Sequence, residues 1–146
     1  MNALEVEQRQ RVIEQARKWL GTPYHHQGRV LGAGVDCATL LCEVYHAAGV
    51  VPYIDPTPYP PDWHMHRSDE RYLGWLREYA VPVDAPKPGD LAIWKFGRCF
   101  SHGAIVIGGT QIIHSYLKQG CVLADMAHEP LKDRAVMFFS LWKAAS

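Results

Sequence analysis

The sequence carries no excess charge of either sign, since 15 Lys and Arg balance 15 Asp and Glu. That balance excludes the basic footprint of a nucleic-acid binder and the charged block that grips a membrane surface. No apolar run is long enough to cross a bilayer, so no membrane insertion is expected. The first residues, Met1-Asn2-Ala3-Leu4-Glu5-Val6-Glu7, include acids and lack an apolar core. They do not read as a signal peptide, and the chain is expected to be cytoplasmic when made. Cysteine is scarce: Cys37, Cys42, Cys99 and Cys121 are scattered and read as thiols, not a disulfide frame. His64 and His66 flank Met65, but no cluster with metal-ligand spacing follows them, and no metal or cofactor is expected. There is no internal repeat and no low-complexity tract.

What remains is ordinary globular sequence. With 146 residues and 48% hydrophobic residues, residues 1–146 read as one domain able to bury a real core. A helix is expected from about Glu5 to Leu20, with Val12, Ile13, Ala16, Trp19 and Leu20 on one face and Gly21 and Pro23 ending it. The glycine-rich stretch from Gly21 to Val35 reads as a loop and carries Tyr24, His25 and His26. An extended, proline-rich insert is expected at about 51–66, with Pro52, Pro56, Pro58, Pro60 and Pro61. Ser68 can cap a short helix with Tyr72, Leu73, Leu76 and Tyr79 on its apolar face.

After Pro88-Gly89-Asp90 the period changes to that of strands. Residues 91–96, 102–107, 111–116, 121–124 and 136–141 read as strands, with Gly108-Gly109 as a hairpin. Helices first and an antiparallel meander second imply an α+β fold, N-terminal helices packed on a central antiparallel β-sheet.

The chemistry concentrates at Asp36-Cys37. Asp36 is a good helix cap, and apolar positions 37, 40, 41, 44, 45 and 48 continue at helical spacing until Gly49. Cys37 therefore heads a helix, where the dipole favours a thiolate. Core packing is the other reading of such a cysteine. Cys42 and Cys121 read as packing, and Cys99 sits in the loop before His102.

A nucleophilic cysteine needs a base, and the base needs an orienting partner. His102 opens a central strand and His114 lies on the returning one. Faces alternate along a strand. A strict two-residue loop at Gly108-Gly109 pairs 102 with 115 and sends the two histidines to opposite faces. A three-residue loop pairs 104 with 114 and 102 with 116, which puts both on one face. A Cys-His-His triad thus requires an odd loop or a bulge.

Gly21-Thr22-Pro23-Tyr24, Asp36-Cys37, Pro88-Gly89-Asp90-Leu91, the run Ser101 to Gly108, and Ile113-His114 follow one another in this order. The pattern resembles the NlpC-type family of cell-wall cysteine peptidases, which are papain-like, and it covers the chain from Ala16 to Val136. The resemblance implies a papain-like α+β fold with Cys37 as nucleophile, His102 as general base and acid, and His114 as the residue that orients the imidazole. It implies that Tyr24 faces the site and serves the substrate or the oxyanion. It implies that Asp36 contacts the free amine of a stem peptide. The substrate it implies is the amide between γ-D-glutamate and a diamino acid, diaminopimelate or lysine, in peptidoglycan stem peptides. Two departures bear on substrate detail: Ala38-Thr39 stand where relatives commonly carry Ser-Gly, and His25-His26-Gln27-Gly28 follow Tyr24 where an aromatic and glycines are usual. The proline-rich insert and the missing signal peptide look most like the tail-associated branch of prophages and gene-transfer agents, with phage tail proteins as partners and the virion tail as destination. Two alternatives stand beside this reading: a non-catalytic structural part of a phage tail tip, and a papain-like amidase or acyltransferase with another substrate.

Overall fold

The computed structural model describes residues 1–55, 76–97 and 99–142. Most of the proline-rich insert, His64, His66 and the start of the helix expected after Ser68 lie outside the described residues; of that helix, residues 76–79 are described and helical.

Helix α1 (Ala3–Lys18) begins where the Asn2 side chain accepts the Glu5 amide at 2.8 Å. Its buried residues, Glu5, Arg9, Val12 and Ala16, recur at helical spacing and make one inward stripe. Two of the four are charged, and both are paired. Arg9 bonds Glu5 within the helix and Asp90 in the turn that leads into the sheet, each at 2.9 Å, and its guanidinium lies 4.2 Å from the Trp142 ring. A guanidinium this deep is tolerable because each face of its charge has a partner.

The stretch expected to be a plain loop contains a small hairpin, β1 (Arg29–Val30) and β2 (Gly34–Val35). Helix α2 (Cys37–Ala47) follows immediately and ends at Gly49, which takes a φ of 81°. Its residues Ala38, Leu40, Leu41, Val44 and Tyr45 are buried against the sheet.

Among the described residues, six strands form one antiparallel sheet: β3 (Val81–Val83), β4 (Leu91–Phe96), β5 (Cys99–Gly108), β6 (Gln111–Tyr116), β7 (Gly120–Asp125) and β8 (Val136–Ser140). Their order is β3-β8-β4-β5-β6-β7, which puts β5 in the interior. Five of the six match expected strands within a few residues. β3 is the addition, a short edge strand whose Pro82 can sit there because an edge needs only half of its backbone groups paired. Cys99, expected in a loop, is the buried first residue of β5.

The two faces of the sheet differ. Leu91, Ile93, Ile105, Ile113 and Phe139 pack against the two helices. Ala92, Trp94, Ala104, Val106 and Ile112 face the other way and are covered by Leu131. That second face carries the two histidines, both buried, with His102 paired opposite Trp94. Among the described residues, no helix is long and apolar enough to cross a membrane.

Candidate active site

The site is assembled by three backbone irregularities, each traceable to local sequence. The first is the cap of α2. Asp36 Oδ1 accepts the Thr39 amide at 3.0 Å, and the Thr39 hydroxyl accepts the Asp36 amide at 3.1 Å. This reciprocal box ends the preceding turn and holds Cys37 as the first helical residue. Asp36 Oδ2 also takes the Gln27 amide at 2.7 Å, and His26 stands 3.9 Å away. The carboxylate is only 2% exposed, so it is spent on the loop and the helix head. The substrate-contacting role expected of Asp36 therefore meets a side chain already surrounded by protein donors.

The second irregularity is a bulge in β5. Trp94 pairs with His102 but Lys95 pairs with Phe100, so Ser101 is the extra residue. A bulge turns one peptide out of the ladder. Here the Ser101 carbonyl accepts the Cys37 thiol, with sulfur to oxygen 3.6 Å. The sulfur at the head of α2 is thereby held against the residue that immediately precedes His102.

The third lies in the hairpin joining β5 and β6. Ile105 pairs with Ile113 and Val106 with Ile112, whereas Gly108 pairs with Gln111. Ile107 is unpaired, and the turn is Gly109-Thr110 instead of the expected Gly108-Gly109. A two-residue turn plus one bulged residue restores the odd register. His102 and His114 consequently share a face, and His102 Nε2 meets His114 Nδ1 at 2.8 Å.

Burial sets the electrostatics of this pair. Desolvation, followed by His114 and then Arg134, pushes the His102 imidazole well below the usual histidine range. Desolvation brings His114 down to about 4. Both rings are therefore neutral at pH 7. A neutral pair can form this bond only if one nitrogen donates and the other accepts.

Sequence reasoning missed the aromatic wall around the pair. The His102 ring lies 6.0 Å from Trp94, 5.4 Å from Phe96 and 5.3 Å from Tyr116, and Tyr116 stacks on His114 at 5.4 Å. The signal was present as period-two positions 94 and 96 on one strand and 114 and 116 on another. It becomes legible only once the register is known.

Tyr24 reaches the site by a different route. It forms an isolated parallel bridge with Val35, flanked by bonds from Val35 N to Pro23 O and from His25 N to Val35 O. Its phenol is pushed far above the ordinary tyrosine range by burial, then by Cys37 and Asp36. The hydroxyl thus stays protonated beside the sulfur and keeps a hydrogen to donate. Burial raises Cys42 to about 11 and Cys121 to about 12. Cys42 helps line a half-open apolar pocket, with Leu41, Tyr45 and Leu91. Among the described residues, no group of three His, Cys, Asp or Glu side chains could hold a metal ion.

The model of the NlpC/P60 family matches residues 21–140. The chain is 32% identical over 105 residues to the tail tip assembly protein K of Escherichia phage lambda, covering 65% of this chain and 49% of that protein. It thus spans about half the length of the curated relative. Among solved structures it resembles the NlpC/p60 domain of the peptidoglycan hydrolase SagA, with a TM-score of 0.59 and 22% identity, covering 88% of this chain and 96% of that one. It also resembles RipD from Mycobacterium tuberculosis, a non-catalytic NlpC/p60 domain protein adapted to peptidoglycan binding, with a TM-score of 0.57 and 15% identity over 92% and 98% of the two chains. The structural likenesses extend along nearly the whole chain and share its helices-then-sheet order. The chain belongs to the NlpC/P60 family.

Proposed function

We propose that this protein is a cysteine peptidase that hydrolyses an amide bond in peptidoglycan stem peptides, of the γ-D-glutamyl–diamino acid endopeptidase type, and that it works as part of a phage tail. The observation that carries the reading is the 2.8 Å bond between His102 and His114, together with a thiol at a helix head that donates to the carbonyl of Ser101, the residue before His102.

The resting thiol donates to the Ser101 carbonyl. With Nε2 of His102 committed to His114, the nitrogen left to exchange a proton with sulfur is Nδ1. That assignment fixes the tautomer: His102 carries its hydrogen on Nε2 and donates it to Nδ1 of His114. Neutral His102 then acts as a general base, takes the Cys37 proton and releases a thiolate favoured by the positive end of α2. The thiolate attacks the carbonyl carbon, and the carbonyl's electron pair moves to oxygen. The Cys37 amide and the protonated Tyr24 hydroxyl are the donors suited to that oxyanion. As the tetrahedral adduct collapses, His102 gives its proton to the leaving amine. Water then attacks the thioester with His102 again as base, which frees the acid and restores the thiol. No cofactor enters any step.

Support for the substrate comes from the family and from relatives named as peptidoglycan hydrolases. Support for the tail association comes from the likeness to a phage tail tip assembly protein. The test is a digest of purified peptidoglycan read by mass spectrometry. Wild type is expected to release fragments cut after γ-D-glutamate. Cys37→Ala and His102→Ala are expected to release none, and Cys42→Ala is expected to match wild type. Equal release by Cys37→Ala refutes the peptidase. The non-catalytic reading has one specific precedent in RipD. Binding of peptidoglycan without any release of fragments by the wild type would select it.

A further inference from the structure

Arg134 is exposed, yet it is held in place from three directions. Its guanidinium carbon lies 3.8 Å from the centre of the Phe96 ring. Its Nε donates to the Pro130 carbonyl at 2.8 Å, and one terminal nitrogen donates to the Lys95 carbonyl at 3.4 Å. Exposed arginines on a surface normally spread over many rotamers, and these contacts hold this one in a single arrangement. Among the described residues, no carboxylate lies within ion-pair distance of it. A planar fork with free donors is thus fixed in space, with its charge unspent.

Its location is specific. Phe96, on which it stacks, is also in contact with the His102 ring at 5.4 Å. Arg134 therefore stands one aromatic ring away from the imidazole. Cys37 at the head of α2 packs against the helix-side core, whereas Phe96, under Arg134, packs against the core on the other face of the sheet. Under the mechanism above, Tyr24 serves the acyl half of the scissile bond. His102 delivers a proton to the amine half, and Arg134 is the cation nearest that imidazole across the Phe96 ring. Lys95 is exposed at the same strand end and adds to the positive rim.

We propose that Arg134 is a specificity residue that reads a carboxylate on the leaving-group side of the substrate and so selects a diamino acid bearing a side-chain carboxylate, diaminopimelate, over lysine. This rests on the stem-peptide reading of the site. The two diamino acids differ at the end of the side chain by one carboxylate, and a guanidinium fork matches a carboxylate with two parallel hydrogen bonds. A lysine-type stem offers Arg134 no such partner.

The experiment measures binding, so that it does not depend on turnover. Two synthetic stem tripeptides, identical except for diaminopimelate or lysine in the third position, are titrated by calorimetry into the Cys37→Ala protein. The diaminopimelate peptide is expected to bind about tenfold more tightly, the range of a hydrogen-bonded charged pair. The advantage is expected to shrink as salt rises, because the pair is at the surface. Arg134→Gln in the same background is expected to bring the two affinities together by weakening the diaminopimelate peptide alone, and Arg134→Lys to keep part of the preference. Damage to the fold would lower both affinities alike, so the ratio isolates recognition. Equal affinities in the Arg134 protein, undetectable binding of both peptides, or a ratio that survives Arg134→Gln overturns the proposal. Absence of hydrolysis by the Cys37 protein would instead strike the peptidase reading and leave this comparison standing.

Discussion

His114 shows how much a single buried imidazole asks of the fold. The unfolded chain's imidazole takes its proton near 6.5, and in the folded protein the value falls to about 4. Between those values the unfolded state holds the extra proton. Stability is therefore full above pH 6.5 and is lost as pH falls toward 4, by on the order of 3 kcal/mol from this residue. His102 is displaced in the same direction and steepens the loss. Urea unfolding at pH 7.5 and 4.5 is expected to show that loss in wild type and a smaller one in His114→Asn. An unchanged slope would mean that His114 is not buried neutral. The thiols make a second case. Raised to about 11 and 12, Cys42 and Cys121 hold almost no thiolate near neutrality, and Cys99 is fully buried. Iodoacetamide at pH 7 is expected to modify Cys37 first, as read by peptide mapping. Prior labelling of Cys42 would contradict the account of which thiol is reactive. Asp36 and Cys37 were legible as cap and helix head because capping is local chemistry. The engagement of Asp36 with Gln27 was not, because it depends on how the stretch between them folds back.

At the scale of elements, the histidine pair turns on one residue, Ile107. Alternation alone left two registers for the hairpin, with opposite consequences for His102 and His114. The choice between them is made by a bulge, which depends on backbone geometry at Gly108 and Gly109 and has no side-chain pattern to announce it. The Ser101 bulge is equally silent in sequence. The strands themselves were legible because apolar alternation and turn residues are strong signals. β3 was not, because three residues including a proline give no period. The turn between β6 and β7 offers a test at this scale. Gly120 has a φ of 79°, and a Cβ there would lie 2.7 Å from the Thr22 carbonyl oxygen. The same turn brings Cys121 into backbone bonds with Gly21 and Thr22, which lead to Tyr24. Gly120→Ala is expected to destabilise by about 2 kcal/mol from left-handed strain and crowding. It is also expected to lower kcat/KM on stem peptides by shifting Tyr24. Wild-type stability and activity in this variant would show that the edge of the sheet does not position the loop.

On the scale of the molecule, the helical layer and the sheet are tied by a buried charge cluster far along the chain from the thiol. Arg9 links Glu5, Asp90, the Pro88 carbonyl and Ser140, and the Tyr45 hydroxyl donates to the Gly89 carbonyl nearby. Asp90 was legible as part of a family motif but not for its task, since its partner lies 81 positions away with no shared pattern. Removing Arg9 alone would strand two buried carboxylates. Arg9→Ala is expected to cost about 3 kcal/mol or more in chemical denaturation, with Cys37 alkylation in the folded fraction unchanged. A loss well under 1 kcal/mol would show that the cluster is not a structural tie.

The central claim is that the Cys37 sulfur, served by His102, forms a covalent acyl intermediate with the substrate. Intact-protein mass spectrometry on samples quenched during turnover of a γ-D-glutamyl–diaminopimelate stem peptide addresses it directly. The account predicts an added mass equal to the acyl half of the peptide, mapped to Cys37 and missing in His102→Ala. Product formation without any adduct, at a rate that Cys37→Ala leaves intact, would contradict it.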